Sequence, residues 1–364
     1  MKLMTPAATS NPPSAVPPGV PASGSHPQLN ALLSGVGITP LEKTGWIRVT
    51  GSDRVRWLNG MATNSVQDLA VGSGAYNFFL NAQGRIQGDG NIFASSDALL
   101  IETSRPQTAT LIPYLDHYII MDDVELADIS DSRYGLSVIG PEAPSLLAKL
   151  GLPAEALKEF ETREELWNSA PVMILRAHSP LVPRYELWAE RADTVEAVRK
   201  ALEDLGATAC DLTTLDWLRI LEGTPLFGTD IRDRDLPQET NQARAMHFNK
   251  GCYLGQEIVE RIRSRGSVHR TFTAFVLEGT LPESSAPVES GGKQVGELTS
   301  AAAIPISGSH GSSLQLALGY VRREALDRND RLQFPGGIAH PISSPFFATA
   351  TELPSPAPDS SKRD

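Results

Sequence analysis

The chain has 364 residues, above the roughly 250–300 at which single hydrophobic cores stop growing, so two or more packed units are expected. With 41% apolar and 21% charged residues it reads as an ordinary globular protein, and no apolar run approaches the roughly 20 residues of a membrane helix. Forty-three Asp and Glu against 32 Lys and Arg leave a net charge of -11, which argues against broad, non-specific binding to nucleic acid and leaves only a local basic face open to RNA.

Residues 1–28 are dominated by Pro, Ala, Ser and Gly and are expected to form a disordered tail, as are residues 349–364. Residues 46–50 alternate like a strand, and Ser52 is the expected N-cap of a helix carrying Val55, Leu58 and Met61. Residues 75–80 and 85–93 read as strands joined by the hairpin loop Asn81-Ala82-Gln83-Gly84. In the second of these, alternation puts Arg85, Gln87, Asp89 and Asn91 on one face, opposite Ile86 and Ile92. Periodicity alone turns such a polar face to solvent. A helix is expected over 104–118, a strand over 134–139 and a helix over 142–149. Strands at 171–176 and 184–189 follow, then helices at 192–205 and 211–222. The last carries an apolar stripe of Leu212, Leu215, Leu218 and Leu221. From residue 271, short β-like runs separated by Gly, Ser and Pro suggest a small all-β unit, with a boundary near 270.

The two cysteines, Cys210 and Cys252, are too few for a disulfide-stapled secreted fold and favour a reducing, cytoplasmic setting. They are also too few for a self-contained zinc or iron–sulfur cage, and the seven histidines are scattered, so no metal site is expected. Cys210 reads as a small buried apolar residue. Cys252 lies in Phe-Asn-Lys-Gly-Cys-Tyr-Leu-Gly-Gln-Glu, residues 248–257, a poor core segment. Ile258, Val259 and Ile262 share a helical face beyond it, which places Cys252 just before a helix N-terminus. There the dipole and Lys250 would favour a thiolate. Burial as a small apolar residue is the competing reading. Residues 250–270 carry Lys250, Arg261, Arg263, Arg265 and Arg270 against Glu257 and Glu260, a surplus of three positive charges. That surplus fits a docking face for RNA or an acidic protein, or an exposed helix supported by its Glu257–Arg261 pair.

The run Lys250-Gly251-Cys252-Tyr253-Leu254-Gly255-Gln256-Glu257, followed by Arg265-Gly266 and Arg270, resembles the K-G-C-Y-x-G-Q-E motif of YgfZ-type proteins. These are folate-binding relatives of the glycine-cleavage T-protein (aminomethyltransferase) and include a mitochondrial iron–sulfur assembly factor. Asp216-Trp217-Leu218-Arg219, Leu236-Pro237-Gln238-Glu239 and Leu318-Gly319-Tyr320-Val321 extend the likeness, which covers about residues 43–348. It implies an α+β fold: a folate-binding body over 29–270, in two subdomains of about 29–140 and 141–270, and a C-terminal β-barrel over 271–348.

The same resemblance implies the site. Glu239 would accept hydrogen bonds from a pterin edge, a task suited to a two-oxygen acceptor. Asp89 would sit beside the reactive nitrogens of tetrahydrofolate, and Tyr76 would line the same cavity. Arg270 would meet the folate's anionic end. Leu181-Val182-Pro183-Arg184-Tyr185 stands where the T-protein has Thr-Gly-Glu, which departs from the aminomethyl-transfer pattern. The leading functional expectation is therefore a tetrahydrofolate-binding accessory protein for iron–sulfur assembly or repair, with iron–sulfur assembly or client proteins as partners, links to tRNA-modifying enzymes and Cys252 as a working thiol. A folate-dependent aminomethyl (one-carbon) transferase is the alternative. A docking module with a vestigial folate pocket is the third reading.

Overall fold

The computed structural model describes residues 26–266, 268–283, 285–306 and 313–346. Helix α1 (Pro27–Ser34) starts the described chain, so Pro27 and Gln28 belong to a helix rather than to the expected tail. Proline is tolerated there because the first helical N–H has no intrahelical partner. Residues 1–25 and 349–364 lie outside the described residues.

Strands β1 (Gly37–Pro40) and β2 (Thr44–Thr50) follow, then helix α2 (Arg54–Met61). Ser52 does not cap α2. Its N–H and hydroxyl both donate to Asp123 Oδ2, at 2.8 and 2.7 Å. The hairpin β3 (Gly74–Leu80) and β4 (Ile86–Ala94) turns at Asn81–Gly84, as the sequence predicts. Strand β5 (Leu99–Ser104), helix α3 (Arg105–Asp116) and strand β6 (Glu125–Asp128) complete a five-stranded sheet of order β3-β4-β5-β2-β6.

A second sheet contains β7 (Tyr134–Ile139), β8 (Thr162–Trp167), β9 (Ala170–Ala177), β10 (Arg184–Ala189) and β11 (Thr208–Ala209), in the order β11-β1-β7-β10-β9-β8. Helices α4 (Ala143–Lys149) and α5 (Ala192–Asp204) lie between its strands in the sequence. Helix α6 (Leu212–Glu222) has a well-formed N-cap, Asp211 accepting from Thr214 N–H at 2.8 Å. Leu218 and Leu221 of the predicted stripe are buried, whereas Leu212, in the first turn, is exposed. Cys210 packs in the same core as Leu218 and Leu221.

Helix α7 (Gln256–Arg265) leads into strands β12 (Arg270–Gly279), β13 (Ala286–Ser290), β14 (Lys293–Ile304) and β15 (Leu314–Arg322). Helix α8 (Arg323–Asp327), β16 (Leu332–Phe334) and β17 (Gly337–Ile342) follow. The strands close into a six-stranded barrel, β12-β15-β14-β13-β16-β17, which removes exposed sheet edges. Asp230 fastens the barrel to α6. It is fully buried, pairs with Arg219 at 2.7 Å and accepts from Ser300 of β14 at 2.7 Å.

Candidate functional site in the body and under the barrel

Residues directly opposite each other in a sheet share a face. In the first sheet Tyr76 is opposite Asn91, Asn91 opposite Glu102, and Glu102 opposite Trp46. This face meets the second sheet. Trp46 packs edge-on against Trp188 at 5.1 Å, and Glu102 hydrogen-bonds Glu186. Burial and the Glu186 carboxylate hold the Glu102 pKa well above the ordinary carboxylate range, so Glu102 keeps a proton to donate.

Asp89 lies on this inward face, two residues before Asn91. Its Oδ2 accepts from the Tyr76 hydroxyl at 2.6 Å, and its Oδ1 from Gln107 Nε2 at 2.9 Å. Gln107 closes the clamp by accepting from the Asp89 N–H at 2.9 Å. Gly88 makes room for Gln107, since a Cβ there would come within 2.6 Å of Leu111 and 3.1 Å of the Gln107 oxygen. Burial raises the Asp89 pKa; the bonds from Tyr76 and Gln107 restrain the rise. Burial, then the Asp89 charge, pushes Tyr76 well above the usual phenol value, so it stays a neutral donor. The Arg244 guanidinium sits 4.2 Å over the Tyr76 ring.

Arg270 and Glu239 meet directly rather than standing apart as two ligand contacts. Arg270 gives Nε to Glu239 Oε1 at 3.1 Å and Nη2 to Oε2 at 3.0 Å, and also reaches Asp235 at 2.6 Å. Burial alone would lower the Arg270 pKa; Glu239 and Asp235 outweigh it and hold it above its ordinary value. The guanidinium lies 4.6 Å over Tyr320 of β15, whose hydroxyl is buried without a hydrogen-bond partner. Ile86 N–H donates to the Asp235 carbonyl at 3.1 Å, which ties the strand of Asp89 to the segment of Asp235 and Glu239.

The 250–257 loop is pinned to the first sheet. Lys250 Nζ donates to the carbonyls of Asn59, Ala62 and Asn64 at 2.6, 2.7 and 2.7 Å, around the C-terminal end of α2. Burial lowers its pKa to about 8. The expected use of this ammonium, favouring a Cys252 thiolate, is therefore corrected: it serves the helix end. Cys252 is exposed and precedes Gly255, the N-cap of α7. Gly255 has φ +82°, and a Cβ there would lie 2.5 Å from the Asn81 carbonyl oxygen, so the turn onto the hairpin requires glycine. Tyr253 is buried in one cluster with Tyr76, Phe78 and Leu80. Gln256 Oε1 accepts from Tyr253 N–H at 3.3 Å, Glu257 pairs with Arg261 at 2.6 Å, and Gly251 is exposed.

Of the two readings of the basic segment, the exposed helix with its Glu257–Arg261 pair is the one the described side chains form. Lys250 and Arg270 turn inward, Arg261 is paired with Glu257, and Arg263 is paired with Glu260 at 3.5 Å and stacked on Phe248. The Arg265 side chain lies outside the described set.

Sequence reasoning missed Gln107, Arg244, Asp235 and Glu222. Glu222, at the end of α6, accepts from Ser179 Oγ and from Leu181 N–H, and burial pushes its pKa up to about 7. It thereby holds the segment that departs from the T-protein pattern.

The GCVT N-terminal domain family matches residues 23–250. The chain belongs to that family. Among curated members, an aminomethyltransferase of Bacillus cytotoxicus is 25% identical over 307 residues, covering 82% of each chain. One from Streptomyces avermitilis is 26% identical over 288 residues, 76% of this chain and 77% of its own. In three dimensions the chain is similar to the glycine cleavage system aminomethyltransferase T of Bartonella henselae. The TM-score is 0.75 at 19% identity, over 87% of this chain and 88% of that one, and it shows the shared fold. No described helix is long and apolar enough to cross a membrane.

Proposed function

We propose that this GCVT-family chain binds a tetrahydrofolate between Asp89 and the Glu239–Arg270 pair and supports aminomethyl-type one-carbon transfer. The observation that carries the reading is the buried Tyr76–Asp89–Gln107 arrangement, together with two buried polar atoms that have no partner. These are Tyr320 Oη, on the ring beneath Arg270, and Asn91 Oδ1, two residues beyond Asp89 on the same strand. Such atoms are costly when buried alone and fit a ligand rich in N–H and C=O groups. The aminomethyltransferase relatives favour this reading over the iron–sulfur accessory role expected first.

When bound, tetrahydrofolate supplies the nitrogen that accepts the one-carbon unit. Asp89, with its raised pKa, holds or takes a proton beside that nitrogen. Tyr76 and Gln107 fix the carboxylate's orientation, and Arg244 fixes the Tyr76 ring. Glu239 retains acceptor capacity on Oε1 beyond its bond to Arg270. The barrel strands β12 and β15 bring Arg270 and Tyr320 to the site. Titration with tetrahydrofolate and an assay of methylene transfer from an aminomethyl-lipoyl carrier protein test the proposal. Binding and transfer are expected, and absence of transfer with binding intact would refute the enzymatic part.

A second reading rests on Cys252, the exposed member of the two free thiols. In it the folate body presents this thiol to iron–sulfur assembly or client proteins. Activities of iron–sulfur enzymes in cells lacking the protein, rescued by wild type and by Cys252→Ser, decide it. Equal rescue by both would remove the thiol's role.

A further inference from the structure

An open cleft of about 750 Å³ lies between the two sheets, at the other end of their shared face from Asp89. Along β4 and β5 the polar row of Asn91 and Glu102 gives way to Phe93 and Leu100, which form an apolar floor with Met173 of β9. Arg133 lies over Trp46 at 5.1 Å on one wall; Glu164 and Glu190 stand on another.

Arg133 is anomalous. Every other half-buried arginine among the described residues gives a hydrogen bond or ion pair, for example Arg184 to Glu186 at 2.9 Å and Arg219 to Asp230 at 2.7 Å. Arg133 gives none from its guanidinium, and burial lowers its pKa. The indole N–H of Trp46, a fully buried residue beneath it, is also without a partner. A buried donor without a partner is unfavourable, and the half-buried guanidinium above it keeps all its donors free for an acceptor. Glu164 and Glu190 act electrostatically on Arg133 yet hold no cation within ion-pair distance.

We propose that this cavity binds a small zwitterion of the α-amino acid class, its carboxylate on Arg133 and its ammonium toward Glu164 and Glu190. The guanidinium fork suits a planar carboxylate, and Phe93, Leu100 and Met173 accept an apolar side chain. The folate reading is not required, because no residue of this cavity touches Asp89 or Glu239 through a hydrogen bond.

The test is titration of the full chain with individual amino acids, followed by calorimetry and tryptophan fluorescence, with acetate and inorganic phosphate as parallel probes. Saturable binding of at least one amino acid is expected. Arg133→Ala should weaken it about a hundredfold, the loss typical when one partner of a hydrogen-bonded charge pair is removed. The double variant Glu164→Gln, Glu190→Gln changes only exposed side chains and should weaken the amino acid without weakening acetate, which loses two repelling carboxylates; this keeps the test valid if Arg133→Ala fails to fold. No binding of any amino acid, or acetate and phosphate binding as tightly as the best one, overturns the proposal.

Discussion

The Tyr76 hydroxyl donates to Asp89 at 2.6 Å from the neighbouring strand, so a phenol bonds directly to the site's carboxylate. That bond lowers the Asp89 pKa against the rise caused by burial. Tyr76→Phe should therefore raise the Asp89 pKa and move the acidic limb of the transfer pH profile upward. Asp89→Asn should reduce transfer by about a hundredfold or more, the usual loss when a positioned proton acceptor is removed. Steady-state rates across pH check both.

Glu222 makes stability pH-dependent. Its folded pKa of about 7 stands above the ordinary carboxylate value, so its contribution is complete below about pH 4.5 and is lost as pH rises through about 7. The shift corresponds to about 3 kcal/mol. Melting temperature should fall between pH 5 and 8 in wild type, and Glu222→Gln should flatten that part of the curve.

Removing the Lys250 ammonium leaves three carbonyls around the end of α2 without their donor. Lys250→Met should cost about 2–3 kcal/mol in denaturant unfolding, at roughly 1 kcal/mol per hydrogen bond. Cys252→Ser, at an exposed position, should change stability by less than about 0.5 kcal/mol.

Gly255→Ala places a side chain 2.5 Å from the Asn81 carbonyl at φ +82°. A loss of about 1–3 kcal/mol is expected from the backbone conformation alone. Urea midpoints measure it, and a neutral outcome would mean that the turn onto the hairpin can reorganise.

The hairpin at 81–84 and the helix at 211–222 were readable because turn residues and an apolar stripe act within a few positions, whereas the cap expected at Ser52 was taken by the distant Asp123. Alternation identified the polar face of Asp89 but not its direction, which depends on a second sheet lying against it. Gln107 is 18 residues from Asp89 in sequence, and nothing local marks it as that carboxylate's partner. Arg270 could be read as a cation, but not as one already neutralised by Asp235 and Glu239. Helix α1 was hidden by its position directly after a Pro-rich stretch, where composition outweighs two amphipathic turns.

Tyr320 and Arg270 enter the site from strands of the barrel, and Asp230 bolts that barrel to α6. The C-terminal unit is thus no interchangeable lid: grafting a foreign barrel at residue 270 would remove a wall and unbalance the carboxylates of Asp235 and Glu239. Recombination between relatives should succeed only where the incoming barrel brings an arginine and an aromatic residue to these two places.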